Sequence, residues 1–209
     1  MNLTGRLLIA SPHLHDGHFL RTVSLIVRHD KEGALGFVLN RPTDKRLREV
    51  VDWNDAATPL RSDDHLYWGG PVEGPLVALH SVPGIGQPCG EGDDQSTVKI
   101  EDHPAEPFGE LSLTFDPAPL WITTDEDHVR VLARRTDALV RLIVGYAGWG
   151  PGQLEGEIEA GGWLHTSLGD PSTAMGEPEA LWETSVKRCG REVLEVIDRD
   201  LPRTDPTLN

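Results

Sequence analysis

The stretch GYAGWGPGQLEGEIEAGGWL, Gly145 to Leu164, constrains the fold of this chain more than any other. It follows the apolar run LVRLIVG, which reads as a strand ending at Gly145, and leads into a segment with helical character. Glycines at such a junction do one of two things: they cradle a phosphate at a helix N-terminus, or they let backbones approach where a strand hands over to a helix.

The spacing argues against a nucleotide. A dinucleotide fingerprint needs glycines at offsets of two and five. Gly148 and Gly150 lead to Gln153, while Gly150 and Gly152 lead to Glu155. Gly145 and Gly150 have Walker-A separation, but Pro151 and Gly152 stand where Lys and Ser/Thr belong. Glu155, Glu157 and Glu159 already load the following helix with negative charge. The stretch therefore reads as a joint. Gly148 and Gly150 supply tight or left-handed backbone, Pro151 presets the first helical turn, Trp149 plugs the core, and Gly161-Gly162 ends the helix.

A chain of 209 residues fits one domain with a substantial core. With 34 acidic against 19 basic residues its net charge is −15. That field repels nucleic-acid backbones and anionic lipid. The N-terminal apolar run is brief, and no stretch approaches the ~20 apolar residues of a membrane span. We expect a cytoplasmic protein with no membrane association. Cys89 and Cys189, the only cysteines, form neither a disulfide framework nor a zinc motif.

Strands are expected at Thr22–Arg28 and Ala34–Leu39, joined by a hairpin loop with Gly33 near its end, and in runs ending at His80, Ile100, Phe115 and Gly145. Thr123 and Glu126 have capping-box spacing for a helix carrying Val129, Leu132 and Ala133. Pro178 opens another, with Trp182, Val186 and Cys189 on one face and Gly190 at its end. A weaker helix starts near Asp44. The Gly/Pro-rich acidic stretch 83–109 reads as a surface excursion and 201–209 as a frayed tail, with residues 1–200 one domain.

The cluster HLHDGH, His13 to His18, places three imidazoles and Asp16 together, but no partner cluster for a metal is identifiable downstream. It reads as a solvated loop. No serine lies in a Gly-x-Ser-x-Gly motif. We therefore assign no metal, no cofactor and no catalytic residue.

Three motifs in order, Gly5 to Pro42, then WGGPV with ALHS, then Gly145 to Leu164, resemble the AlgH/YqgE family of bacterial proteins. The resemblance runs from about Leu3 to Gly190. It implies an α/β (α+β) single domain with a bent, mostly antiparallel or barrel-like sheet flanked by a few short helices. It implies no established catalysis. The family name is linked to regulation of alginate production, and members are often labelled regulators of transcription. Carried over by residue, its pattern picks out Gly69, Gly70, Pro71, Gly148 and Trp149 as architectural. It also picks out Asp16, His29, Asn40, Arg41, His80, Gln153 and Glu157 as polar candidates for a ligand or partner site.

Three functions are open at this level. The first is a non-catalytic regulator that binds a protein partner through a face with Asn40-Arg41-Pro42 and the WGGPV turn. The second is a small-molecule binder or hydrolase using His29, His80 and Asp16, which would have to converge within about 3 Å or through one water. Direct DNA binding comes last, because no helix-turn-helix pattern stands out and KRLR, Lys45 to Arg48, is a short basic cluster.

Overall fold

In the computed structural model, which describes residues 2–14, 16–51, 53, 61–85, 112–113 and 120–200, the first strand, β1 (Arg6–Ala10), is buried on both faces. Leu7 and Ile9 enter one hydrophobic cluster and Leu8 and Ala10 another. Alternate side chains of a strand face opposite ways, so a strand between two cores reads as an unbroken apolar run.

The chain continues through β2 (Val23–Asp30), β3 (Gly33–Val38), β4 (Pro42–Arg46), β5 (His65–Trp68), β6 (Val72–His80), β7 (Ser112–Leu113) and β8 (Leu120–Thr123). Helix α1 (Glu126–Leu132) precedes the ten-residue β9 (Val140–Trp149), and α2 (Gln153–Glu159) precedes β10 (Trp163–Ser167). Helices α3 (Pro171–Ala174) and α4 (Pro178–Asp200) follow. The sheet order is β10-β1-β2-β3-β9-β6-β8-β7, with β5 and then β4 branching from β9. All pairs are antiparallel except β5 with β9. The sheet is mixed and open, which corrects the barrel alternative.

The branch is made by one glycine. Residues Ala147–Trp149 of β9 pair with β3, whereas Leu142–Val144 run parallel to β5. Between these halves Gly145 adopts φ +77, a conformation that side chains other than glycine's disfavour. The strand turns there and continues, so β9 runs four residues beyond its expected end. The bend seats β9 against the WGGP turn: a Cβ on Gly69 would lie 2.2 Å from Gly145 O, and one on Gly70 2.1 Å from the Tyr146 carbonyl carbon. Both motifs are glycine-rich because their backbones touch. Left-handed backbone falls on Gly145 and Gly152, while Gly150 opens a tight turn, its carbonyl accepting the Gln153 N–H at 3.1 Å.

Other expectations shift in detail. The hairpin of β2 and β3 forms around Gly33. Helix α1 is capped by Asp125, whose carboxylate accepts the His128 N–H, not by Thr123, which ends β8. The expected helix near Asp44 is β4 followed by one 3-10 turn at Leu47–Glu49. Helix α4 passes through Gly190 and spans 23 residues, so the flanking helices are not all short. Its Leu181 and Cys189 pack with Leu7, Ile9 and Phe37, leaving α2 to cover the opposite cluster with Leu154. The strand expected to end at Ile100, Cys89, most of the 83–109 excursion and the tail 201–209 lie outside the described residues; of the strand expected to end at Phe115, β7 is the described part.

Candidate functional site

The β9–α2 corner and the β1–β2 loop enclose a cleft of about 580 Å³. The loop supplies His13, Leu14, Asp16 and Phe19, the WGGP turn supplies Pro71, β9 supplies Gly148 and Trp149, α2 supplies Gln153 and Glu157, and Trp163 begins β10. Six of the residues singled out from sequence, Asp16, Pro71, Gly148, Trp149, Gln153 and Glu157, thus meet here.

Glu157 organises this wall. Its Oε2 accepts the indole N–H of Trp149 at 3.0 Å and of Trp163 at 2.7 Å, and its Oε1 accepts the Gln153 amide at 2.8 Å. Gln153 closes the loop by accepting the Gly150 N–H at 3.0 Å. Just past the end of α2, Gly161, with φ +79, lets the Gly162 N–H return to Glu157 O and sends the chain into β10, which brings Trp163 under the same carboxylate. Both indoles are nearly buried, so their N–H groups require acceptors. Phe19 packs edge-on against Trp163 at 5.4 Å and also contacts Trp149 and Trp68, each at 6.2 Å between ring centres. His18 stacks on Trp68 at 6.3 Å.

Asn40 and Arg41 sit outside the cleft and secure the loop that lines it. The Asn40 side chain accepts the Val23 N–H at 2.9 Å and donates to Arg21 O at 3.0 Å, while Arg41 donates to Leu20 O at 2.5 Å. Arg21 between these bonds has φ +56, a strained value held by the surrounding contacts. Asp16 caps the same loop, its Oδ1 accepting the N–H groups of His18 and Phe19.

His29 and His80 occupy other places. His29 Nδ1 accepts the Leu3 N–H at 3.1 Å, so Nε2 carries the proton and donates to Glu155 at 2.9 Å. The Glu155 carboxyl is held below the usual carboxylate range by its own backbone N–H first and by His29 as well. His80 lies fully buried on β6, stacked on Trp121, with Nδ1 accepting the Val82 N–H. Burial, reinforced by nearby His128, pushes its pKa down to about 4. His29, His80 and Asp16 share no hydrogen-bond partner among the described residues. They form three environments, not one acid-base centre. No group of three or more His, Cys, Asp or Glu among the described residues is placed to hold a metal ion, and His15 lies outside those residues.

Sequence reading missed Trp163 as the second indole on Glu157, Glu155 as the partner of His29, and Arg141. The Arg141 guanidinium is buried, donates to Leu39 O, Ala174 O and Gly176 O, and lies 4.4 Å over the Tyr67 ring. None of these pairings has a helical or strand period to betray it.

A sequence profile of the AlgH-like family matches residues 7–194, which includes every part of the cleft. The chain belongs to the AlgH-like family. A UPF0301 protein of Streptomyces avermitilis is 34% identical over 214 residues, covering 100% of this chain and 96% of its own. One of Myxococcus xanthus is 34% identical over 191 residues, covering 90% and 92%. The AlgH solution structure from Pseudomonas aeruginosa superposes with a TM-score of 0.62 at 26% identity, covering 98% of this chain and 97% of that one. A Corynebacterium diphtheriae crystal structure shares the fold, with a TM-score of 0.59 at 22% identity over 89% and 86%. The AlgH-like sheet is thus a shared architecture, and no helix among its described residues here is long and apolar enough to cross a membrane.

Proposed function

We propose that this AlgH-like chain is a non-catalytic, cytoplasmic regulatory protein that acts by holding a protein partner in the cleft between the β1–β2 loop and α2. The observation that carries the reading is the pre-set aromatic wall. Trp149 and Trp163 are locked by one carboxylate, and Phe19 is locked by a loop tied down through Asn40 and Arg41. Rigid aromatics that lose little freedom on binding are the usual anchors of recognition. A reaction would need groups in mutual reach, and the histidines and Asp16 are each engaged in separate hydrogen bonds. An acidic chain of net charge −15 favours control of transcription through protein contacts over direct DNA binding. A second reading, a small-molecule binder, draws on the cleft volume, which lies in the range of ligand pockets.

Ala160 lines the cleft and is exposed, so Ala160→Trp fills it without touching the Glu157 network. Affinity capture from cell extract with wild type and this variant tests the reading. A protein held at stoichiometric level by wild type and lost by the variant is expected. Equal capture by both, or none by either, counts against a partner in this cleft.

A further inference from the structure

The cleft is charged on one side only. Asp16 and Glu157 both line it, and among the described residues its lining contains no lysine or arginine and one histidine, His13, able to carry a positive charge. The three groups that bond Glu157 are two indole N–H groups and an amide N–H, all neutral, and among the described residues it pairs with no cation. Its charge is thus solvated by dipoles and left uncompensated. A carboxylate offers roughly four lone-pair directions, of which three are taken. Trp149 and Trp163 turn their N–H edges to it and Phe19 packs beside them, with ring centres 5.4 to 6.2 Å apart.

A carboxylate with a free acceptor direction, backed by closely packed aromatic rings, is the chemistry that selects a cation carried on an apolar stem. The face of the half-buried Phe19 ring attracts a positive group within about 6 Å, and the stem covers the apolar wall. A phosphate or carboxylate would meet like charge here. Resting on the partner reading above, we propose that the cleft receives an arginine or lysine side chain of the partner polypeptide, with Glu157 and Asp16 as its counter-charges and the half-buried Phe19 ring as its apolar wall. The field of the whole chain acts in the same direction, steering a basic segment toward the acidic surface.

N-acetyl-arginine amide and N-acetyl-lysine amide are suitable probes, with N-acetyl-leucine amide and N-acetyl-glutamate amide as controls. Titration of the full chain is read at the indole N–H resonances of Trp149 and Trp163. The cationic probes are expected to shift both signals saturably in the millimolar range, arginine more strongly because its planar group stacks on rings, and the controls to leave them in place. Asp16→Asn keeps the Oδ1 that caps the loop and should weaken the cationic probes about threefold. Glu157→Gln should weaken them about tenfold. Shifts by the leucine or glutamate probe equal to those by arginine would remove the cation and leave the cleft as a binding site. Absence of any shift by either cationic probe up to about 200 mM, several times the roughly 30 mM dissociation constant that a single cation–ring contact supplies, would overturn the inference. Ala160→Trp capture decides the partner reading separately.

Discussion

His29 donates from Nε2 to Glu155 at 2.9 Å while its Nδ1 accepts the Leu3 N–H at 3.1 Å, so one imidazole ties the N-terminal segment to helix α2. The ring is almost completely buried, whereas Glu155 is partly exposed. The two ends of the bridge should therefore respond differently to substitution. His29→Ala leaves a buried backbone N–H without an acceptor and should cost about 1–3 kcal/mol. Glu155→Ala exposes its partner to water on one side and should cost clearly less. Urea unfolding of both variants checks the ranking, and equal losses would contradict it. The Glu155 carboxyl is held below its ordinary range. Its contribution is therefore present above that range and lost as pH falls through the depressed value.

Glu157 satisfies two indoles at once, and its removal should reveal how much the cleft wall depends on it. Glu157→Ala orphans the N–H groups of Trp149 and Trp163, which are 6% and 3% exposed. The expected loss is about 2–4 kcal/mol, accompanied by a red-shifted tryptophan emission as water reaches the rings. Glu157→Gln retains an acceptor for the indoles and should lose about half as much. Unchanged emission in the alanine variant would show that packing alone holds the wall.

The glycine-tryptophan corner is legible as a joint because nucleotide spacings fail there, but its left-handed glycines, Gly145 and Gly152, are not. A left-handed residue inside a strand has no periodic signature, so Gly145 read as the end of β9 when it is the bend. The polarity pattern placed Thr123 as a cap, but a hydroxyl on β8 that bonds the His128 ring looks the same in sequence as one that caps a helix. Gly190 read as a terminator. On the exposed side of α4 it costs only about 1 kcal/mol relative to alanine, and the buried Leu181, Ser185 and Cys189 carry the helix through. Family resemblance selected Asp16, Gln153 and Glu157, which the fold brings to one cleft, but nothing local could pair Glu157 with both Trp149 and Trp163. Those contacts exist only once β9, α2 and β10 are folded together.

His80 should give the chain an acid-sensitive stability. Its pKa falls from 6.5 to about 4 because burial, with His128 nearby, disfavours the charged ring. Between those values the unfolded chain binds a proton that the folded chain excludes. Stability contributed by the neutral ring is therefore complete above pH 6.5 and declines as pH falls toward 4, with a slope approaching ~1.4 kcal/mol per pH unit. His80→Asn keeps an acceptor for the Val82 N–H but cannot titrate. Its stability profile should be flatter across that window in chemical unfolding at stepped pH. Parallel profiles for wild type and variant would assign the acid sensitivity to other groups.

Arg141 closes the far side of the sheet. The residue is 5% exposed, and its guanidinium donates to Leu39 O at 2.5 Å, Ala174 O at 2.9 Å and Gly176 O at 2.8 Å, joining β9 to the end of β3 and to α3. Burial lowers its pKa from the ordinary arginine value, yet the cation is compensated by three carbonyl dipoles, the face of Tyr67 and the nearby Glu177 carboxylate. Arg141→Ala leaves those carbonyls unmatched and opens a cavity beside Tyr67, for an expected loss of about 3–5 kcal/mol. Arg141→Lys retains the charge but has a point ammonium where a planar fork spans three acceptors. It should recover only part of that loss. Arg141→Met removes the buried charge and keeps the volume, so it should be milder than alanine. Hydrogen exchange at the α3 amides should rise most in the alanine variant, since Ala174 and Gly176 lose their tether. An alanine variant as stable as wild type, with unchanged α3 exchange, would mean that water replaces the guanidinium without cost.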